Sequence, residues 1–313
     1  LALELVEAAP QGRTEVVEHH LPEIGGRRGK ALFVGGRRED SPLTTRESTA
    51  ATGPGPGHFT RAAPNGSASP AMDLDCLRYY TRWHAFANDR RYRAPAGPWA
   101  TVRIDPADLT YHNQTLRLDR GIGRVEGGDW DVDGRDPLRE TAAYRSIRRR
   151  HEDGDAWEET PLYRRAAERF ETGERVRGYE SVEEFRRVRC GYLDDLIQSI
   201  EEDRYRPNAE AGHEPASTEN AFETAYAHRL EPIVAIGRDG EVQLCEGFHR
   251  ASIASVLGID RIPVNVLCRH EEWQRIRDRV ATDPSVVRGP DAPIDRRDHP
   301  DLRGLLPDAS ERD

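Results

Sequence analysis

"PIVAIGRDGEVQLCEGFHRASIASVLGIDRIPVNVLC", residues 232–268, decides how this chain is read. Residues 231–247 alternate around Arg238-Asp239-Gly240 and predict a strand, a tight turn and a second strand. Gly247 ends that hairpin, and Phe248 opens a helix that Gly258 stops. Ile262-Pro263-Val264 begins another strand over 261–268, and 269–280 follows as a helix. A hairpin, a crossover helix and a parallel strand make a small mixed sheet. With the helical patterns upstream, the fold class is α+β, a mostly helical N-terminal half followed by this sheet.

A crossover between two strands of one sheet is normally parallel and right-handed. The C-terminal ends of the flanking strands then share an edge, so Glu246–Arg250 and Arg269–His270 are expected to face one another there. Ligands of open sheets bind at such edges. The turn suits an anion. Gly247 allows close backbone approach, and the free N–H groups of the helix opening at Phe248 carry partial positive charge. His249, Arg250, Arg269 and His270 add donors, and Arg250 offers a fork for a phosphate. Glu246 can orient a hydroxyl, hold Mg²⁺ through water, or act as a base, with His249 as a second proton carrier. The bland alternative ties the turn: Arg250 pairs with Glu246 or Glu231, and His249 is an ordinary surface residue.

The same stretch resembles the ParB/sulfiredoxin-like superfamily. The resemblance rests on Pro232-Ile233, the hairpin, Gly247 and Arg250, Ala254, Leu257-Gly258 and Ile262-Pro263-Val264, and reaches over roughly residues 195–280. It implies a nucleotide or phosphate site at the glycine–arginine turn, filled by ATP, ADP or CTP with Mg²⁺. Members include CTP-binding partition proteins, ATP-dependent sulfiredoxins and kinases of free serine. Sulfiredoxins carry the catalytic cysteine directly before the His-Arg pair, where this chain has Phe248, and Cys245 lies inside the strand. Partition proteins follow the turn with a helix-turn-helix domain, for which 282–313 leaves no room. The free-serine kinases match best, with an acidic residue in the place of Glu246. Their catalytic glutamate lies upstream, and Glu231 is the candidate for it. The resemblance therefore implies a nucleotide-dependent phosphotransferase or hydrolase. Its alternative is a non-catalytic, nucleotide-responsive or DNA-associated regulatory module.

Composition limits these readings. Only 36% of the 313 residues are hydrophobic against 33% charged, so part of the chain is expected to stay unpacked. Net charge is −10, which opposes non-specific binding to nucleic acid. Lys30 is the single lysine, so arginine supplies nearly all the positive charge. An acidic, arginine-rich surface resembles the composition of salt-adapted haloarchaeal proteins. Cys76, Cys190, Cys245 and Cys268 form no CxxC pair and read as reduced thiols of a cytoplasmic protein. No apolar run approaches the ~20 residues of a membrane span. The expected partner is a nucleotide or small phosphorylated molecule, with no membrane; oligomeric state is not legible.

The acidic excess is local. Residues 1–71 hold 8 basic and 8 acidic side chains, which leaves 38 and 48 for the remainder. With the Gly/Pro/Ser/Ala tract at 48–71 and the only methionine at 72, the segment 1–71 reads as a disordered extension or as upstream sequence translated from an early start. The expected organisation is 1–71, a mainly helical region 72–205, the sheet domain 206–281 and an irregular tail 282–313.

Within 72–205, residues 73–89 predict a helix, 101–104 a strand ended by Asp105-Pro106, and 121–131 a strand closed by glycines. Helices follow over 136–154, over 160–173 with Thr160 as cap, and over 181–205 with the Ser181/Glu184 capping box. Asp129 and Asp131 share a face if their strand continues, and two such carboxylates can hold Mg²⁺. The competing reading there is a turn plugged by Trp130.

Overall fold

The computed structural model describes residues 74–211, 230–287 and 298–306. The expectations for 1–71, and for 212–229 within the expected sheet domain, lie outside the described residues. Helix α1 (Leu74–Arg91) comes first and ends on Arg90 and Arg91, which suit the negative end of its dipole. Strand β1 (Thr101–Ile104) stops at Asp105, whose carboxylate accepts from the Ala107 N–H and starts a 3-10 turn on Pro106. Short strands β2 (Tyr111–Asn113) and β3 (Arg124–Glu126) follow, then a single helical turn, α2 (Trp130–Asp133), and β4 (Arg135–Pro137).

Three helices fill the middle of the chain. The Thr141 hydroxyl caps α3 (Ala142–Arg148), which runs on through a π-helical turn to Gly154. Thr160 caps α4 (Pro161–Glu171). Ser181 caps a rod over residues 182–203: α5 (Val182–Glu184), a π-helical stretch and α6 (Gly191–Asp203). The reciprocal half of the capping box lands one residue early, because the Glu184 carboxylate accepts from the Glu180 N–H rather than from Ser181. After α7 (Asn208–Ala211) come β5 (Ile233–Ile236), β6 (Val242–Glu246), α8 (Phe248–Val256), β7 (Ile262–His270) and α9 (Glu271–Thr282).

The class is α+β with one mixed sheet, ordered β1-β7-β5-β6-β2-β4, and β3 lies beside the far half of β7. Strands from 101–137 and from 233–270 interleave in that sheet, so the boundary expected at 205/206 divides residues that share one hydrogen-bonded layer. Its two faces are separately buried. Val234, Ile236, Leu244, Ile262, Val264 and Val266 meet α8 and α9 through Ala251, Ala254, Trp273 and Ile276. Ile233, Ala235, Cys245 and Leu267 meet Leu77 of α1 and Ile122 on the other face. The tail expected to be irregular returns in part: Leu302 joins the first cluster with no exposed surface.

Strand direction corrects the expected edge. β7 runs parallel to β5, the first arm of the hairpin, and β6 runs antiparallel to β5. β6 and β7 are therefore antiparallel to each other. Ile233 pairs with both Glu246 and Asn265, whereas Ile236 pairs with Val242 and Arg269. Glu246 thus lies at one end of the sheet, and Arg269 and His270 lie at the other. β6 is the antiparallel return arm of the hairpin, so a β7 that runs parallel to β5 runs against β6; β2 holds the outer edge of β6, and β7 lies on the far side of β5.

Candidate functional site

Gly247 sets the geometry of the turn. It is the N-cap of α8 at φ 84° and ψ 29°, and no side chain caps the helix. An added Cβ would lie 2.9 Å from Pro232 Cα. Conformation and close packing thus both require glycine here. The first N–H groups of α8 carry the partial positive charge of a helix start, at the mouth where the sequence placed an anion.

His249 sits in that first turn. Its Nδ1 lies 3.2 Å from Nη2 of Arg189, which can only donate, so Nδ1 accepts. Burial lowers its pKa well below the ordinary value, and the charges of Arg189 and Arg177 push the same way. A neutral ring that accepts at Nδ1 carries its proton on Nε2. That Nε2 is buried and has no hydrogen-bond partner among the described residues. The turn therefore holds a donor that no described residue satisfies.

Two arginines, Arg189 and Arg177, reach this turn from well upstream in the chain. Arg189 lies buried in the π-helical stretch of the 182–203 rod. Arg177 is presented on a tight turn: Val176 and Tyr179 exchange backbone hydrogen bonds, and Arg177 and Gly178 both take positive φ, 53° and 88°. Two central residues of positive φ are the signature of a type I′ hairpin turn. Val176 and Tyr179 are buried with Trp157, Phe185 and Leu193, so the turn is anchored while Arg177 stays exposed. Glu246, also exposed, ends β6 beside them. Desolvation by the protein around the carboxyl raises its pKa although the residue keeps exposed surface, and Arg177 opposes that rise.

Neither Arg177 nor Arg189 was picked out in the sequence. The faint signals were Arg-Gly between Val176 and Tyr179, and the arginine-dense "RRVR" behind the capping box.

The remaining candidates have other duties. Glu231 is buried, and both its carboxylate oxygens are occupied. Oε1 accepts from the Asn208 N–H at 2.6 Å, and Oε2 accepts from the Tyr205 hydroxyl at 3.2 Å and Arg250 Nη2 at 3.0 Å. Arg250 also lies over the Tyr205 ring at 4.7 Å. The pair ties α8 to the segment after α6, which is the structural alternative foreseen for Arg250, and it leaves Glu231 no free oxygen for proton transfer. Phe248 packs into the core edge-on against His112, with ring centroids 5.3 Å apart.

Arg269 and His270 do not join the turn. Arg269 grips Asp301 through Nε and Nη2, at 3.0 and 2.7 Å, and Trp273 Nε1 donates to the same carboxylate at 2.9 Å. Arg277 completes this buried cluster, which fastens the tail. Burial alone would raise the Asp301 pKa, but Arg269, then Arg277 and Trp273, hold it down to about 2. The His270 Nδ1 accepts from the Glu272 N–H as the cap of α9, and its Nε2 donates to the Gly128 carbonyl at 2.8 Å.

Asp129 and Asp131 do not share a strand face. Gly128, at φ 93°, ends the extended run, and the chain coils into α2. Arg238 of the hairpin turn takes the place expected for a metal. It donates to Asp131 through its backbone N–H at 2.8 Å and its guanidinium at 2.7 Å, and to Asp129 at 2.7 Å. Among the described residues, no group of three histidine, cysteine or acidic side chains is placed to hold a metal ion.

No family model matches this chain, and no curated protein or solved structure matches it. No described helix is long and apolar enough to cross a membrane.

Proposed function

We propose that the mouth of α8 binds the phosphate of a nucleotide or small phosphorylated molecule, with Arg177 and His249 as its side-chain donors. One observation carries this reading: among the described residues the buried Nε2–H of neutral His249 has no partner, at an uncapped helix start opened by a glycine that must be glycine. A phosphate oxygen satisfies that donor and the helix N–H groups together. Arg189 fixes the His249 tautomer, and Arg177, on its anchored turn, supplies the charge. Glu246 is the acidic side chain that the turn offers to an acceptor hydroxyl or to Mg²⁺ carried on nucleotide phosphates. Its raised pKa favours proton exchange nearer neutrality than an ordinary glutamate allows. A phosphotransferase or nucleotide hydrolase of the ParB/sulfiredoxin-like kind is the enzyme reading. A nucleotide-responsive switch uses the same site without Glu246 chemistry.

The test is a thermal-shift panel of ATP, ADP, CTP and phosphate with Mg²⁺ at high KCl, because a ligand selective for the folded state raises Tm. Arg177→Gln should lower ligand affinity about tenfold, with circular dichroism showing that the fold is kept. Glu246→Gln should keep binding and lose turnover if the protein is an enzyme. No Tm rise with any ligand of the panel would remove the site.

A further inference from the structure

Helix α1 carries two stripes. Leu77, Thr81 and Asn88 face the sheet and are buried. On the opposite side, at i, i+4, i+7 spacing, stand Tyr79, Trp83 and Phe86, exposed to 67%, 55% and 50%. Arg90 continues the stripe by one more turn. Three large aromatic rings in a row on the solvent face of a helix call for an explanation that single exposed residues do not.

The rings are already ordered. Trp83 and Phe86 stack with centroids 6.1 Å apart and planes 26° apart. The Arg90 guanidinium lies 3.4 Å from the Phe86 centroid, so Trp83, Phe86 and Arg90 form one column. Tyr80 meets Tyr79 edge-on. Four arginines of α1, of which Arg91 is paired with Glu271, stand against two aspartates, and Arg93 follows just beyond the helix, in a protein whose net charge is −10. The stripe therefore joins flat apolar faces to local positive charge.

We propose that this face of α1 binds single-stranded nucleic acid, with bases stacking on Tyr79, Trp83 and Phe86 and phosphates meeting Arg82, Arg90 and Arg93. Every base offers a π-face, so a ring column binds unpaired strands with little regard to sequence, and guanidinium groups track the backbone. A duplex keeps its base faces hidden and gains only the phosphate contacts. A second copy of the chain is a poor occupant, because pairing two identical basic faces sets like charges opposite one another, and one stripe of three rings is small against the area a stable dimer buries. A lipid surface also accepts aromatic and arginine side chains, so vesicle binding is an outcome that the experiment separates from strand binding. The net charge still opposes long-range attraction, so the interaction is local and short-ranged.

The experiment is fluorescence anisotropy of labelled 12-mer oligo-dT and oligo-U, and of a 12-bp duplex, titrated with the full chain. Binding of the single strands at least tenfold tighter than the duplex is expected. Trp83→Ala and Phe86→Ala should each weaken it roughly tenfold or more, with Tm unchanged because both rings are exposed. Arg82→Gln should shallow the salt dependence of the affinity. Arg177→Gln, which tests the phosphate site at α8, should leave strand binding intact, so the two proposals fail separately. The proposal falls if no single strand binds, if duplex binds as well as single strand, or if Trp83→Ala binds like the unaltered protein. It also falls if sedimentation shows a dimer that Trp83→Ala dissolves, or if anionic vesicles bind in place of the strands.

Discussion

Arg250 shows how one residue changes role between sequence and structure. In the sequence it is the natural phosphate fork, four residues after an acidic strand end. In the fold it is 14% exposed and paired with Glu231, which is 6% exposed and has two further donors. Removing one partner of such a pair leaves a buried charge short of a contact. Arg250→Ala should therefore cost about 3 kcal/mol of stability, read as a lower urea midpoint, and should leave ligand affinity unchanged. A large affinity loss without destabilisation would return Arg250 to the binding site. His249 makes the complementary pH prediction. Its folded pKa lies well below the ordinary 6.5. As pH falls through 6.5, the unfolded chain gains a proton that the folded one refuses. The His249 contribution is thus fully present above 6.5 and is lost progressively at lower pH, by up to about 1.4 kcal/mol per pH unit. His299, also pushed down by burial, adds to the same slope. His249→Asn keeps an acceptor for Arg189 and removes the titration. Its urea midpoint should fall less than that of the unaltered protein between pH 7.5 and 5.5. Equal slopes would show that His249 is not buried as a neutral ring.

At the scale of elements, what was legible follows the range of the signal. Thr160, Ser181 and Gly258 mark their helices through contacts a few residues long, and the structure keeps each mark. The hairpin, α8 and the start of β7 were likewise written locally. Strands β2 and β4 were not, because three residues such as Tyr-His-Asn or Arg-Asp-Pro carry no alternation to detect. Strand order was beyond reach for another reason: nothing near Glu246 records that β2, more than 130 residues earlier in the chain, takes the edge of β6. The misplacement of Arg269 and His270 came from strand direction: β7 runs parallel to β5 and so against β6. The turn at 246–250 could be found in the sequence, but the arginines that complete it could not, since Arg177 and Arg189 arrive through tertiary packing. The element most sensitive to a single atom is the entry of α8. Gly247→Ala adds a Cβ at positive φ, 2.9 Å from Pro232 Cα. It should cost about 2 kcal/mol and disturb the helix mouth, so that Tm and phosphate affinity fall together. An unchanged Tm would mean that the turn yields freely and that its shape does not define the site.

For the whole molecule, the question is which electrostatic effect governs the response to salt. Many ion pairs of the described surface are more than a third exposed on both sides, among them Arg117–Asp119, Arg169–Glu174 and Arg175–Glu180. Such pairs contribute ~0–1 kcal/mol each, and salt screens them, so alone they predict weakening as salt rises. The buried cluster of Arg269, Arg277 and Asp301 is shielded from ions and should change little. Against the surface pairs stands a net charge of −10, all of it carried by residues after 71. That excess repels itself over distances that only salt shortens, whereas each surface pair already has its partner within contact. Self-repulsion is thus the larger salt-dependent term. Tm should rise steadily from dilute buffer into molar KCl, and circular dichroism should show loss of helix at the dilute end. A Tm that falls with added KCl would mean that the surface pairs dominate, and that the acidic composition reflects no adaptation to salt.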